Sequence, residues 1–256
     1  MRYTTLLLVT FLITGRLHSQ EFKTYAYKDT LKLDVFTPAG LAEGALLPVM
    51  VLFHGGGWVK GTRPVMYPEC RYFVKRGFVT VTASYRLLSP GQEDKSICIE
   101  DAVSAIQWVK QHARELHVDT TKLVLGGSSA GGHLATMAGL TLPGVKALLL
   151  LNPAYRAADP PAVLPFDKVT VTTPPAIQFF GTGDSSWKPG GDRFRAVLDS
   201  AGVRNEYWTA EGGAHTFYRA AEWQAETMYR MDVFLVSLGI LQGPIPTSPV
   251  PALRMK

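Results

Sequence analysis

Two adjacent serines, Ser128 and Ser129, lie in the glycine cluster Gly126-Gly127-Ser128-Ser129-Ala130-Gly131-Gly132. A serine nucleophile has to leave a buried strand, turn sharply and sit exposed at a helix N-terminus. That turn crowds the positions two before and two after it, so both must be very small, which the pattern G-x-S-x-G expresses. Centred on Ser129 the pattern is complete, with Gly127 and Gly131 in place; centred on Ser128 it fails, because Ala130 stands where the second glycine belongs. The chemistry in view is acyl transfer with Ser129 as nucleophile. Its tetrahedral oxyanion needs aimed N–H groups. The run His54-Gly55-Gly56-Gly57-Trp58 follows a buried apolar stretch, and glycine permits the unusual dihedrals that turn amides toward such a charge. Gly56, Gly57 and Ala130 are the expected donors. A phosphate loop is the rival for a glycine triplet, but neither a Gly-Lys-Ser/Thr nor a G-x-G-x-x-G spacing is present.

A base and an acid must then follow. Of the six histidines, His18 lies in the leader, His54 in the glycine loop, His112 and His117 near a helix end, and His133 four residues beyond Ser129. His215, in the loop "EGGAHTF", is the one free to swing over the nucleophile. Asp184 sits in a short loop after the apolar run "PAIQFFG" and is the expected acid, ahead of Asp159 and Asp167, which no buried strand closely precedes. A carboxylate there would fix the His215 tautomer and stabilise the imidazolium. Trp58 and Trp187 flank the glycine loop and the acid loop, where they are candidates to line a cleft or simply to pack.

The elements that would position these residues are legible in the apolar pattern. "KTYAY" and "LKLDVFTP" read as two strands, the second alternating Leu31, Leu33 and Val35 with Lys32 and Asp34, the period of a half-buried antiparallel strand. "VMVLF", "FVTVTAS", "KLVLGG", "VKALLLL" and "PAIQFFG" are unalternating runs suited to parallel strands buried on both faces. Helical segments separate them: "EDAVSAIQWVKQHA", with Val103, Ile106 and Val109 at helical spacing; "GGDRFRAVLDSAGV", ended by Gly202; and a last helix ended by Gly239. The alternation predicts an α/β fold with a mostly parallel central sheet, antiparallel N-terminal edge strands and helices on both faces.

Residues 1–19 read as a secretory signal: Arg2, then an apolar stretch from Leu6 to Ile13, then Ser19 before the cut. This predicts a secreted or periplasmic protein with a catalytic domain over residues 20–241 and a Pro-rich tail over 242–256, and no membrane span once the leader is removed. The chain of 256 residues carries a net charge of +5, falling to +3 without the leader, and has no run of five basic residues, so no nucleic-acid partner is expected. Neither Cys70 nor Cys98 has a C-x-x-C partner or a neighbouring histidine, so no metal is expected, and no cofactor is implied. The two cysteines leave open a disulfide or a pair of buried free thiols.

Together "HGGGW", "SYRLLSP", "EDAVSAIQWV", "GGSSAGGHLA", "GTGD" and "GGAHTF" resemble the α/β-hydrolase superfamily, in particular hormone-sensitive-lipase-like esterases and small secreted bacterial esterases that deacylate plant polysaccharides. The resemblance spans about Tyr25 to Leu241. It departs where many relatives carry Asp before the nucleophile and this chain has Ser128. It implies the α/β-hydrolase fold, Ser-His-Asp ester hydrolysis, and a buried structural ion pair between Arg86 and Asp101. The only insertion, "NPAYRAADPPAVLPFDKVTVTT", is short, proline-rich and poorly amphipathic. No large lid is therefore expected, but an open cleft for small acyl groups on a small-molecule or carbohydrate alcohol. An arylformamidase and a non-catalytic binding protein of the same fold are the alternatives.

Overall fold

The structure, a computed structural model, describes residues 21–248. The expected leader and the end of the expected tail lie outside the described residues. Eight strands form one sheet: β1 (Lys23–Lys28), β2 (Leu31–Phe36), β3 (Leu47–Phe53), β4 (Val79–Ala83), β5 (Val118–Ser128), β6 (Val145–Leu151), β7 (Ala176–Gly181) and β8 (Asn205–Ala210). Their spatial order is β1-β2-β4-β3-β5-β6-β7-β8. β1 pairs antiparallel with β2 and β2 antiparallel with β4, and every pairing from β4 to β8 is parallel.

Five helices cover the sheet: α1 (Tyr67–Lys75), α2 (Ser96–Gln111), α3 (Ala130–Thr141), α4 (Lys188–Ser200) and α5 (Ala221–Ser237). Side chains alternate across a strand, so β3 sends Val49, Val51 and Phe53 into a core shared with α2, α3 and α4, and Met50 and Leu52 into a core shared with α1 and α5. The apolar residues of the unalternating runs are buried on both faces for this reason, and all of β4 and β7 is buried, while Lys146 near the start of β6 is exposed. Cys70 lies in one core and Cys98 in the other, both as free thiols, which decides against a disulfide.

Several expectations are corrected. Lys32 is exposed, but Asp34, expected on the same solvated face of β2, is fully buried. Arg63 Nε at 2.7 Å, Tyr67 Oη at 2.8 Å and Thr24 Oγ1 at 2.7 Å donate to its carboxylate, because the 3-10 turn Arg63–Met66 and α1 cover that face. Only one partner of the Arg86–Asp101 pair is buried: Asp101 has no exposed surface, whereas the Arg86 side chain is 43% exposed and shares the carboxylate with Lys28. α2 begins at Ser96, four residues before the expected helical stretch, and Val103 is only partly buried, the face turning instead on Cys98, Ala102, Ala105, Ile106 and Val109. The described start of the tail lies against the body at Pro244, Pro246 and Thr247. Arg76 Nη2 donates to Pro244 O at 3.2 Å, and Pro246 and Thr247 wall a groove with Tyr72 and Met228. Among the described residues no helix is long and apolar enough to cross a membrane.

Candidate active site

β5 ends at Ser128, α3 begins at Ala130, and Ser129 between them has φ +51° and ψ −119°. A serine held at positive φ is strained, and the surroundings show why nothing larger than hydrogen fits beside it. A Cβ on Gly131 would lie 2.0 Å from Phe53 O, and one on Gly127 2.5 Å from the same oxygen. The two glycines of the pattern thus let the turn pass against the end of β3. Ser128 points the other way. It is fully buried, its Oγ accepts from Gly55 N at 3.1 Å and donates to Met66 Sδ at 3.6 Å. One serine holds the turn together and the other is presented.

Ser129 Oγ lies 2.8 Å from His215 Nε2, and His215 Nδ1 lies 2.6 Å from Asp184 Oδ2. An ionised carboxylate only accepts, so Nδ1 carries the proton and donates it to Asp184, which leaves Nε2 to accept from the serine. Asp184 is 4% exposed and follows β7; His215 follows β8, its neighbour. The two loops are stitched by Gly183 N donating to Gly213 O at 2.9 Å, and a Cβ on Gly181 would meet Gly213 O at 2.0 Å. Asp184 is held further by Asn152 Nδ2 at 3.2 Å on Oδ2 and by the Trp187 amide at 3.3 Å on Oδ1. Asn152, buried at the end of β6 with φ +45°, is the residue that sequence reasoning missed. A polar residue closing "ALLLLN" was the only signal for it.

The glycine loop faces this turn. Gly55 donates to Ser128, Gly56 has φ +127° and Gly57 φ +62°. Gly56 O takes the amides of Val59 and Lys60 at 3.2 and 3.1 Å, which closes the loop into a tight turn. Among the described residues no acceptor is recorded for the N–H of Gly56, Gly57 or Ala130. The loop adjoins the turn, a Cβ on Gly55 falling 3.1 Å from Ser129 Cβ, and these three N–H groups are not spent on protein acceptors. His54 supports the loop: it is buried, stacks on Tyr85 with ring centroids 4.5 Å apart, and its ring meets Gly55 O at 2.8 Å. Burial pushes its pKa down. His133 is fully buried on α3 with Nε2 donating to Val163 O at 2.7 Å, and burial lowers its pKa to about 4. Neither competes with His215.

A cleft of about 580 Å³ opens beside the loop, lined by Gly57, Trp58, Lys95, Arg156, Asp159 and Trp187 among others. Both candidate tryptophans reach it, though not as bare aromatic faces. Lys95 Nζ sits 4.1 Å from the Trp58 ring centroid and the Arg156 guanidinium 5.4 Å from that of Trp187, so a cation occupies one face of each. Trp58 is only 4% exposed, whereas Trp187 is partly exposed and lies 6.0 Å from the His215 ring. The 152–173 insertion folds as two 3-10 turns, Pro161–Val163 and Phe166–Lys168, with Val163, Leu164 and Phe166 buried in the body. Among the described residues no group of three or more His, Cys, Asp or Glu side chains is placed to hold a metal ion.

Comparison with known proteins places the fold among esterases. The family model BD-FAE matches residues 33–147. Esterase LipI of Mycobacterium tuberculosis is 33% identical over 104 residues, 40% of this chain, a stretch spanning 32% of the length of that curated relative. Among solved structures, the thermophilic esterase Est2 of Thermogutta terrifontis with propionate bound superposes with a TM-score of 0.80 at 32% identity, covering 88% of this chain and 97% of that one. The same esterase phosphorylated by paraoxon gives a TM-score of 0.79 at 33% identity, over 88% of this chain and 96% of that one.

Proposed function

The chain belongs to the hormone-sensitive-lipase-like carboxylesterases of the α/β-hydrolase superfamily, and on that premise we propose that it hydrolyses short-chain carboxylic esters, with Ser129 as nucleophile. The observation that carries this reading is the continuous relay of Ser129 Oγ, His215 and Asp184 at 2.8 and 2.6 Å; the adjoining glycine loop and α3 supply three amides without a protein acceptor. Ser129 Oγ attacks the ester carbonyl carbon while His215 Nε2 takes its proton. The resulting oxyanion is received by the amides of Gly56, Gly57 and Ala130. Collapse expels the alcohol, to which the imidazolium returns the proton, and an acyl-enzyme remains. Water activated by the same histidine repeats the sequence and releases the acid. Asp184, held by Asn152 and the Trp187 amide, keeps the imidazole in the tautomer both halves require.

A small acyl group is supported by the relative solved with propionate, and a reactive serine by the same relative's phosphorylation by paraoxon. A bulkier alcohol, including an acetylated carbohydrate such as xylan, is supported by the open cleft and by an insertion that packs into the body rather than covering it. The leader over residues 1–19 would place the enzyme outside the cytoplasm.

The test is turnover of p-nitrophenyl acetate by wild type, Ser129→Ala and Ser128→Ala. Ser129→Ala should lose a factor of several thousand or more in kcat, while Ser128→Ala still turns over. Equal background rates for all three would overturn the esterase reading; activity on a formanilide alone would move the assignment to an arylformamidase.

A further inference from the structure

The mechanism above makes no use of the most buried cation in the cleft. Lys95 immediately precedes α2 and is 9% exposed. Its ammonium lies 2.6 Å from both carboxylate oxygens of Asp159 and 4.1 Å from the ring centroid of Trp58. Asp159 belongs to the 152–173 insertion, so the pair crosses the cleft and ties the start of α2 to its far wall. A lysine withdrawn from water in this way needs a carboxylate, which Asp159 supplies. The charge then remains directed at an indole face.

Trp58 has an unusual conformation to maintain. It is the third of three consecutive residues at positive φ, after Gly56 at +127° and Gly57 at +62°, and stands at +63° itself. A bulky residue there persists only where its surroundings over-determine it. The restraints are visible. Lys95 occupies one ring face, His133 meets the ring edge-on at 5.4 Å, and Trp187 approaches at 6.3 Å. The Trp58 carbonyl accepts from Leu88 N at 2.9 Å. Two of the contacting side chains are themselves tied to the insertion, Lys95 through Asp159 and His133 through Val163 O. The insertion thus grips Trp58, the bulky residue that closes the glycine run, without closing over the serine.

We infer that Lys95 is a positioning residue: held by Asp159, its ammonium fixes the Trp58 ring and thereby the backbone of Gly56 and Gly57, the donors to the oxyanion. This rests on the ester-hydrolase reading above. An oxyanion donor acts in the transition state, so loss of its positioning lowers kcat and leaves ground-state binding of a small ester unchanged. A residue that only walled the cleft would act on KM.

The experiment is steady-state hydrolysis of p-nitrophenyl acetate by wild type, Lys95→Met, Lys95→Arg and Asp159→Asn, with thermal melts of each. Lys95→Met should lose roughly 10- to 100-fold in kcat, with KM held within about threefold and a melt that shows it folded at the assay temperature. Lys95→Arg, which keeps a cation able to face both partners, should recover most of the rate, and Asp159→Asn should fall between. An unchanged kcat in Lys95→Met, a loss confined to KM, or a folded Lys95→Arg as slow as Lys95→Met would each overturn the inference. If Lys95→Met does not fold, Asp159→Asn decides, because it unties the cation at nearly constant volume; wild-type kcat there would overturn it. A wild type that turns over while the variants match it defeats only this inference. A wild type inert toward esters defeats the reading beneath it, and both fall.

Discussion

The site is built from two glycine-rich turns that use glycine for different reasons. In the turn at Gly127–Gly131, neither glycine has a positive φ; each is needed because the β3 backbone at Phe53 leaves no room for a Cβ. The strained residue is Ser129 itself. In the loop that follows β3, Gly57 has nothing within 4 Å of a Cβ position and is needed only for its φ of +62°, while Gly56 has both requirements, a φ of +127° and a Cβ that would fall 1.9 Å from Lys60 O. One turn is fixed by exclusion and presents a side chain; the other is fixed by dihedral freedom and presents amides. The Gly55–Ser128 hydrogen bond joins them. The comparison teaches that the turn presenting Ser129 is held by backbone sterics, by the Ser128 side chain and by the Ser129 backbone hydrogen bonds to Leu151 and Ala154, whereas the loop leans on packing around its Trp58.

The comparison can be broken, beginning with the largest effect. Gly131→Ala should destabilise by more than about 3 kcal/mol or yield no folded protein, measured by urea unfolding; a folded, active variant would remove the exclusion argument. Next, the helix carrying the turn should record the burial of His133. Its native pKa of about 4 lies below the ordinary 6.5, so between those values the unfolded chain binds a proton that the native state refuses. Stability is then lost as pH falls from about 6.5 to about 4, by on the order of 3 kcal/mol, and His133→Gln should remove that part of the slope. Gly57→Ala should fold at a cost of about 1–2 kcal/mol, set by its φ of +62°, because nothing lies within 4 Å of the added methyl, and it should lower kcat/KM, because that methyl enters the cleft. Ser128→Ala is the smallest change: about 1 kcal/mol from the lost acceptor for Gly55 N, with kcat within about threefold of wild type.

Much of this was legible because each turn carries its steric requirement in its own residues. Gly127 and Gly131 select Ser129 over Ser128 from spacing alone, and the structure shows the contacts that make the spacing necessary. The unalternating apolar runs identify the parallel strands because burial on both faces leaves no polar period. What escaped depends on which segment covers which. Asp34 reads as solvated until the 3-10 turn Arg63–Met66 is laid over it. Asn152 reads as the polar end of a strand, since its link to Asp184 spans 32 positions. Trp58 and Trp187 read equally as cleft lining or as packing, because nothing local shows that Lys95 and Arg156 lie over them.

The central claim is that one serine of the pair is the nucleophile, and covalent labelling tests it most directly. The protein should be treated with paraoxon, digested, and the phosphorylated residue located by mass spectrometry. The account predicts stoichiometric phosphorylation on Ser129, abolished in Ser129→Ala and retained in Ser128→Ala. Label on Ser128, or no label on an otherwise folded protein, would contradict it.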